Sequence, residues 1–287
     1  MKYAIHKDFR LAKFVKLPMY KFMLPVANLF LSCMKKSSKT IKVTKISNMP
    51  CLAYEFANSQ GATNAIVYFH GGGFVVEAGP NHYRMIGEYV KRANCKVIFI
   101  KYPLATNNSL DKTLDVCYQS YKLIVKNKKA LNIETLGVAG DSAGGFISAY
   151  VTRKAQIDNI EPQFQMLIYP VIDCKMRSES CEKYTNTPFW NALQNRKMWK
   201  WCLPKESDDL NLLDLDAVKN INTYIETAEF DPLHDEGKMY AKKLEKENQV
   251  IYNDTKGTIH GYDFFIKSSI VLENINKRVA FLLEQFK

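Results

Sequence analysis

The chain predicts an α/β fold, a mainly parallel sheet with helices on both faces and a helical lid. Three observations carry this reading. From Met49 onward, short β-rich runs alternate with helical stretches. The pentapeptide Gly140-Asp141-Ser142-Ala143-Gly144 follows directly on the apolar run Thr135 to Ala139, as a strand that turns sharply into a helix would. The rhythm breaks once, for about fifty residues after Val171, and all three tryptophans fall in that interval.

Taken in order, residues 1–48 read as basic lid or anchor helices. Arg10, Lys13 and Lys16 recur every three residues, with Leu11, Phe14 and Val15 on the other side. Residues 49–287 read as the catalytic unit. Ala65 to Phe69 is strand-like, Tyr83 to Ala93 helical, Lys96 to Tyr102 a strand and Leu110 to Asn127 a helix. Leu136 to Ala139 and Ala143 to Arg153 follow as strand and helix. Phe164 to Tyr169, Thr223 to Ala228 and Gln249 to Tyr252 supply three more strands, and Val271 to Gln285 closes with a helix. Such a βαβ rhythm places ligands at the carboxyl ends of the strands. The interval at about 174–222, with Tyr184, Phe189, Trp190, Trp199 and Trp201, enters after a strand on that face and reads as a second piece of lid.

With 287 residues, of which 47% are hydrophobic, the chain has ample material for a buried core. Its net charge of +11 is unevenly spread: residues 1–48 hold eleven Lys or Arg against one acid, Asp8, leaving +1 for the remainder. Basicity therefore belongs to the N-terminal segment, which could meet an anionic membrane or simply form a solvated face. Nucleic acid is not expected, because no nucleic-acid-binding motif accompanies the charge. Seven cysteines without Cys-x-x-Cys or Cys/His metal spacing favour free thiols in a reducing compartment. The apolar stretch Leu17 to Leu31 is interrupted by Pro18, Lys21 and Pro25, so it reads as neither a signal peptide nor a membrane span. A cytoplasmic protein, able to touch a membrane at its periphery, is expected.

The chemistry gathers around Ser142, which a strand–turn–helix elbow would expose as a nucleophile. Before it, His70-Gly71-Gly72-Gly73-Phe74 ends a strand, and its glycine amides can point into a cavity. Gly72, Gly73 and Ala143 are the expected oxyanion donors. His260 has the chain position that a Ser…Asp…His order requires; His6, His82 and His234 do not, and His70 is expected to fix the glycine loop. Asp231 begins the loop after Thr223 to Ala228 and is the expected acid, with Glu229, Asp254 and Asp263 as competitors. Asp173 is expected to support the site from behind, and Asp235 and Glu236 to brace the loop or the following helix.

Together, His70-Gly71-Gly72-Gly73, Gly140 to Gly145, Asp231-Pro232-Leu233-His234-Asp235-Glu236-Gly237 and His260-Gly261 resemble the hormone-sensitive-lipase family of α/β-hydrolase-fold esterases, from about Tyr68 to Phe265. The resemblance implies a Ser-His-Asp carboxylesterase acting on short to medium acyl esters, with no cofactor and no metal. Where similar proteins carry Leu-Ala-Pro-Glu, this chain has Leu104-Ala105-Thr106-Asn107, a change in a structural loop; Asp115 agrees with the pattern. A lipid-surface lipase of the same mechanism and a non-catalytic ligand-binding protein on the same fold are the alternatives. The expected partner is a small-molecule or lipid ester; the sequence does not set the oligomeric state.

Overall fold

The computed structural model describes residues 3–14, 20–33, 41–58, 61–203 and 210–287. Eight strands form one sheet in the order β1-β2-β4-β3-β5-β6-β7-β8. They are β1 (Lys42–Ile46), β2 (Leu52–Ala57), β3 (Asn64–Phe69), β4 (Lys96–Lys101), β5 (Thr135–Asp141), β6 (Phe164–Ile168), β7 (Asn222–Phe230) and β8 (Val250–Ile259). β1 pairs antiparallel with β2 and β2 antiparallel with β4, while β3 to β8 run parallel to one another.

The central strands are fully buried, because helices cover both faces and no polar alternation is needed. One apolar cluster joins one face to Leu114, Phe146 and Ile147; the other joins the opposite face to Tyr89, Ile275 and Phe281. The covering helices are α2 (Pro80–Arg92), α3 (Leu110–Lys126), α4 (Ala143–Ile157), α7 (His234–Leu244) and α8 (Ser269–Gln285). Before them comes α1 (Leu24–Ser32), and between β6 and β7 lie α5 (Glu179–Lys183) and α6 (Ala192–Cys202).

From Ala65 onward the alternation read from the sequence matches this order; β2 was not among the expected strands, and three further differences stand out. β1 lies inside the segment expected to be helical throughout, and its pattern is mostly exposed, as suits a polar edge strand. β8 runs to Ile259, well past the Tyr252 at which the sequence reading ended it; paired hydrogen bonding with β7 overrides the turn signal of Gly257. Near the N-terminus, Lys7–Phe14 forms a 3-10 helix that buries Phe9 and Ala12 and exposes both Arg10 and Leu11, which the sequence reading had set on opposite sides. Three residues per turn explain the shift. Val15, Lys16 and the start of the apolar run, Leu17 to Met19, lie outside the described residues.

Candidate active site

Ser142 sits between β5 and α4 at φ 54, ψ −119, a conformation that L-residues avoid and that a tight elbow enforces. The bend holds because its neighbours are glycines. A Cβ on Gly144 would overlap the Phe69 carbonyl, and one on Gly140 would overlap that of Gly144. The Ser142 amide donates to the Ile168 carbonyl at 2.9 Å and its carbonyl accepts from Val171 at 3.0 Å, tying the elbow to β6.

β8 ends one residue before His260, and β7 ends one residue before Asp231. Their side chains meet at the carboxyl edge of the sheet. His260 Nε2 lies 3.0 Å from Ser142 Oγ, and His260 Nδ1 lies 2.7 Å from Asp231 Oδ2. All three residues are buried. Asp231 Oδ1 also accepts the Leu233 amide at 2.9 Å, which fixes the carboxylate's orientation. In this geometry Nδ1–H donates to Asp231, leaving Nε2 to accept the Ser142 proton.

The competing acids are occupied elsewhere. Glu229 accepts the Gly257 amide, Asp254 binds His234 and Lys256, and Asp263 pairs with Arg278. Asp173 is held by Arg177 and Asn211, so it braces the turn after β6 and does not reach the serine. Glu236 accepts the Ile172 amide at 2.7 Å, and Asp235 accepts that of Ser180 at 2.8 Å. Glu236 thus ties the start of α7 to the turn after β6, and Asp235 ties it to α5.

The glycine loop curls over the elbow. Gly72 and Gly73 take positive φ, and the Gly72 carbonyl accepts the amides of Val75 and Val76. Ser142 makes no side-chain cap to α4, and the amides of Gly72, Gly73 and Ala143 donate to no partner among the described residues. Three such N–H groups beside a nucleophile can bind an oxyanion. His70 supports the loop: its Nδ1 lies 2.7 Å from the Gly71 carbonyl and its ring stacks on Tyr102. Burial, helped by the charge of His82, lowers its pKa to about 3, so it stays neutral and Nδ1–H donates.

From the stretch between β6 and β7, Trp190 and Met198 close on the loop. A Cβ on Gly73 would lie 3.2 Å from each. The Trp190 ring also stands 5.9 Å from that of His260, so one aromatic side chain spans base and glycine loop.

Several supporting groups were missed in the sequence. Asp141 Oδ1 accepts the Tyr68 hydroxyl at 2.7 Å and the Gly71 amide at 3.1 Å, and Oδ2 faces His82. Tyr169 sets its ring edge against His260 at 5.0 Å and donates its hydroxyl to Asp263 at 3.1 Å. Asp263 and Glu226 share the fully buried Arg278, which also meets Tyr262. Asp141 stood inside the pentapeptide, where only its unusual burial could have singled it out; nothing local marked Arg278, over a hundred residues from Tyr169 in sequence. No cluster of three or more His, Cys, Asp or Glu fit to hold a metal occurs among the described residues.

A family model described as alpha/beta hydrolase fold matches residues 66–264. An α/β hydrolase of Acanthamoeba polyphaga mimivirus is 28% identical over 227 residues, covering 72% of this chain and 62% of its own length. The chain thus spans under two thirds of that relative. The ethyl acetate hydrolase of Pseudomonas putida is 29% identical over 219 residues, covering 73% of this chain and 68% of its own length. Among solved structures, esterase LipW from Mycobacterium marinum superposes with a TM-score of 0.89 at 19% identity, covering 99% of this chain and 96% of that one, a likeness of fold.

Proposed function

The chain belongs to the α/β-hydrolase-fold family of hormone-sensitive-lipase type, with carboxylesterases and lipases among its homologues, and on that premise we propose that it is a serine carboxylesterase using Ser142, His260 and Asp231. The 3.0 Å approach of His260 Nε2 to Ser142 Oγ, with Asp231 behind the ring, carries the reading. His260 takes the Ser142 proton as Oγ attacks the ester carbonyl. The amides of Gly72, Gly73 and Ala143 bind the oxyanion, and Asp231 stabilises the imidazolium. The oxyanion collapses, His260 protonates the departing alcohol, and an acyl-enzyme remains. Water, deprotonated by the same imidazole, then releases the acid and frees Ser142.

Short to medium acyl groups are the proposed substrates. Trp190 and Met198 against Gly73 limit the space beside the reacting carbonyl, and the name of the Pseudomonas relative, ethyl acetate hydrolase, points the same way. Seven free cysteines support a reducing compartment, and among the described residues no helix is long and apolar enough to cross a membrane. Ser142→Ala is expected to abolish hydrolysis of p-nitrophenyl acetate and butyrate while the fold survives. Substantial turnover by the folded variant would refute the assignment. Retained binding of esters without any turnover by the wild type would favour the non-catalytic reading.

A further inference from the structure

α1 is put together the reverse of an ordinary surface helix. Its mid-helix polar residue, Asn28, faces inward: Nδ2 donates to the Val75 carbonyl at 2.9 Å, and Oδ1 accepts the Glu77 amide at 3.0 Å. Within the helix Leu24 alone is buried. Val26, Leu29 and Phe30 are exposed by 72%, 68% and 65%, and Phe22, just before the helix, by 79%. A soluble surface scatters single apolar side chains; a cluster of this kind marks a contact.

We propose that this face docks on an anionic lipid surface. Charge chooses the occupant. Residues 1–48 carry ten net positive charges, and their one acid, Asp8, is turned to Ser268 Oγ at 2.7 Å. Exposed Lys21 flanks the patch, and Lys197 of α6 stands 5.9 Å from the Tyr20 ring beside it. Pairing two copies through this face would bring two such segments together and cost repulsion. An anionic leaflet attracts them. Apolar side chains rimmed by Lys are the pattern of helices lying in a lipid interface.

The Asn28 bonds end on Val75 and Glu77, in the segment that continues the glycine loop. Docking α1 therefore sets the edge of the Ser142 site on the lipid, where ester substrates of low water solubility reside. That consequence rests on the esterase reading; docking itself does not.

The test is co-sedimentation of the full chain, as wild type and as Ser142→Ala, with vesicles of phosphatidylcholine alone or mixed with phosphatidylglycerol, at low and high salt. Binding is expected on the mixed vesicles at low salt, weaker on phosphatidylcholine and weakened by salt. The double variant Val26→Glu/Phe30→Glu is expected to lower partitioning on the order of tenfold or more while p-nitrophenyl acetate turnover stays unchanged. No binding to the mixed vesicles, or equal binding by the double variant, would overturn docking. So would a wild-type dimer in light scattering that the double variant dissolves, which would assign the patch to a second copy. Vesicle binding by a wild type that hydrolyses no ester would sink the esterase reading and leave docking standing.

Discussion

His82 Nε2 lies 3.3 Å from Asp141 Oδ2, so the residue immediately before the nucleophile is anchored to the helix that follows the glycine loop. In its neutral form the His82 ring accepts the Gly79 amide at Nδ1, 3.0 Å away, which orients it. The second Asp141 oxygen holds the Gly71 amide. One buried carboxylate thus sets the distance between Ser142 and the loop expected to receive the oxyanion. Asp141→Ala is predicted to lower kcat/KM by roughly 10², the scale of a misplaced reacting group, with a smaller effect on ester binding. Steady-state kinetics on p-nitrophenyl butyrate check this, and an unchanged kcat would contradict it.

The same pair gives a pH signature. Burial alone would lower the His82 pKa, but the Asp141 carboxylate outweighs it and the pKa is raised. Burial alone would raise Asp141, but His82 and Tyr68 bring it down to about 2. The Asp141 contribution to stability is present above the unfolded carboxylate value of about 3.9 and fades as pH falls through the folded one. The His82 contribution is present below its unfolded value of about 6.5 and fades as pH rises through the raised one. Melting curves are therefore predicted to show the largest gap between wild type and His82→Gln from roughly pH 4 to 6.5, narrowing on either side. A gap that widens steadily toward alkaline pH would contradict the pairing.

Glu236 makes a contrasting case. Burial pushes its carboxyl pKa well above the ordinary value, favouring the protonated form, and Oε2 has no hydrogen-bond partner among the described residues. A raised acid pKa costs stability as pH rises past the unfolded value of about 4.3. Glu236→Gln keeps the acceptor for Ile172 and is predicted to match wild type in acid and to exceed its Tm at alkaline pH. Thermal melts across pH decide it; a variant less stable at every pH would show an ionised glutamate with an essential role.

Tyr169 joins the base to the buried Arg278 cluster. Tyr169→Phe keeps the ring edge on His260 and removes the hydroxyl bond to Asp263. A positioning role predicts a severalfold fall in kcat at nearly constant KM, together with a shifted acidic limb of the pH–rate profile. Arg278→Met, which leaves Glu226 and Asp263 buried without their cation, is predicted to destabilise by about 3–5 kcal/mol. Chemical denaturation of the two variants separates positioning from folding.

The order of the central strands and helices, and the coming together of Ser142, His260 and Asp231, were legible because Ser142 and Asp231 directly follow buried apolar strands and His260 stands where the Ser…Asp…His order requires it. The sheet aligns such ends whatever the chain does between them. Less local features were hidden. β1 is a polar edge strand whose composition resembles a charged loop, and the continuation of β8 through Gly257 depends on its partner β7. Asp141 and His82 meet because α2 folds back over the loop, and Arg278 reaches Asp263 from the last helix. The reversed face of α1 was invisible to pattern reading, since a mostly apolar helix is ordinarily assumed to turn its apolar side inward.

Activation of Ser142 as a nucleophile by His260 can be read from intact-mass analysis after treatment with a fluorophosphonate. One covalent adduct is expected on wild type, mapped to Ser142, absent in folded Ser142→Ala and strongly slowed in His260→Ala. A folded wild type that takes no adduct, or one that carries it on another residue, would contradict it.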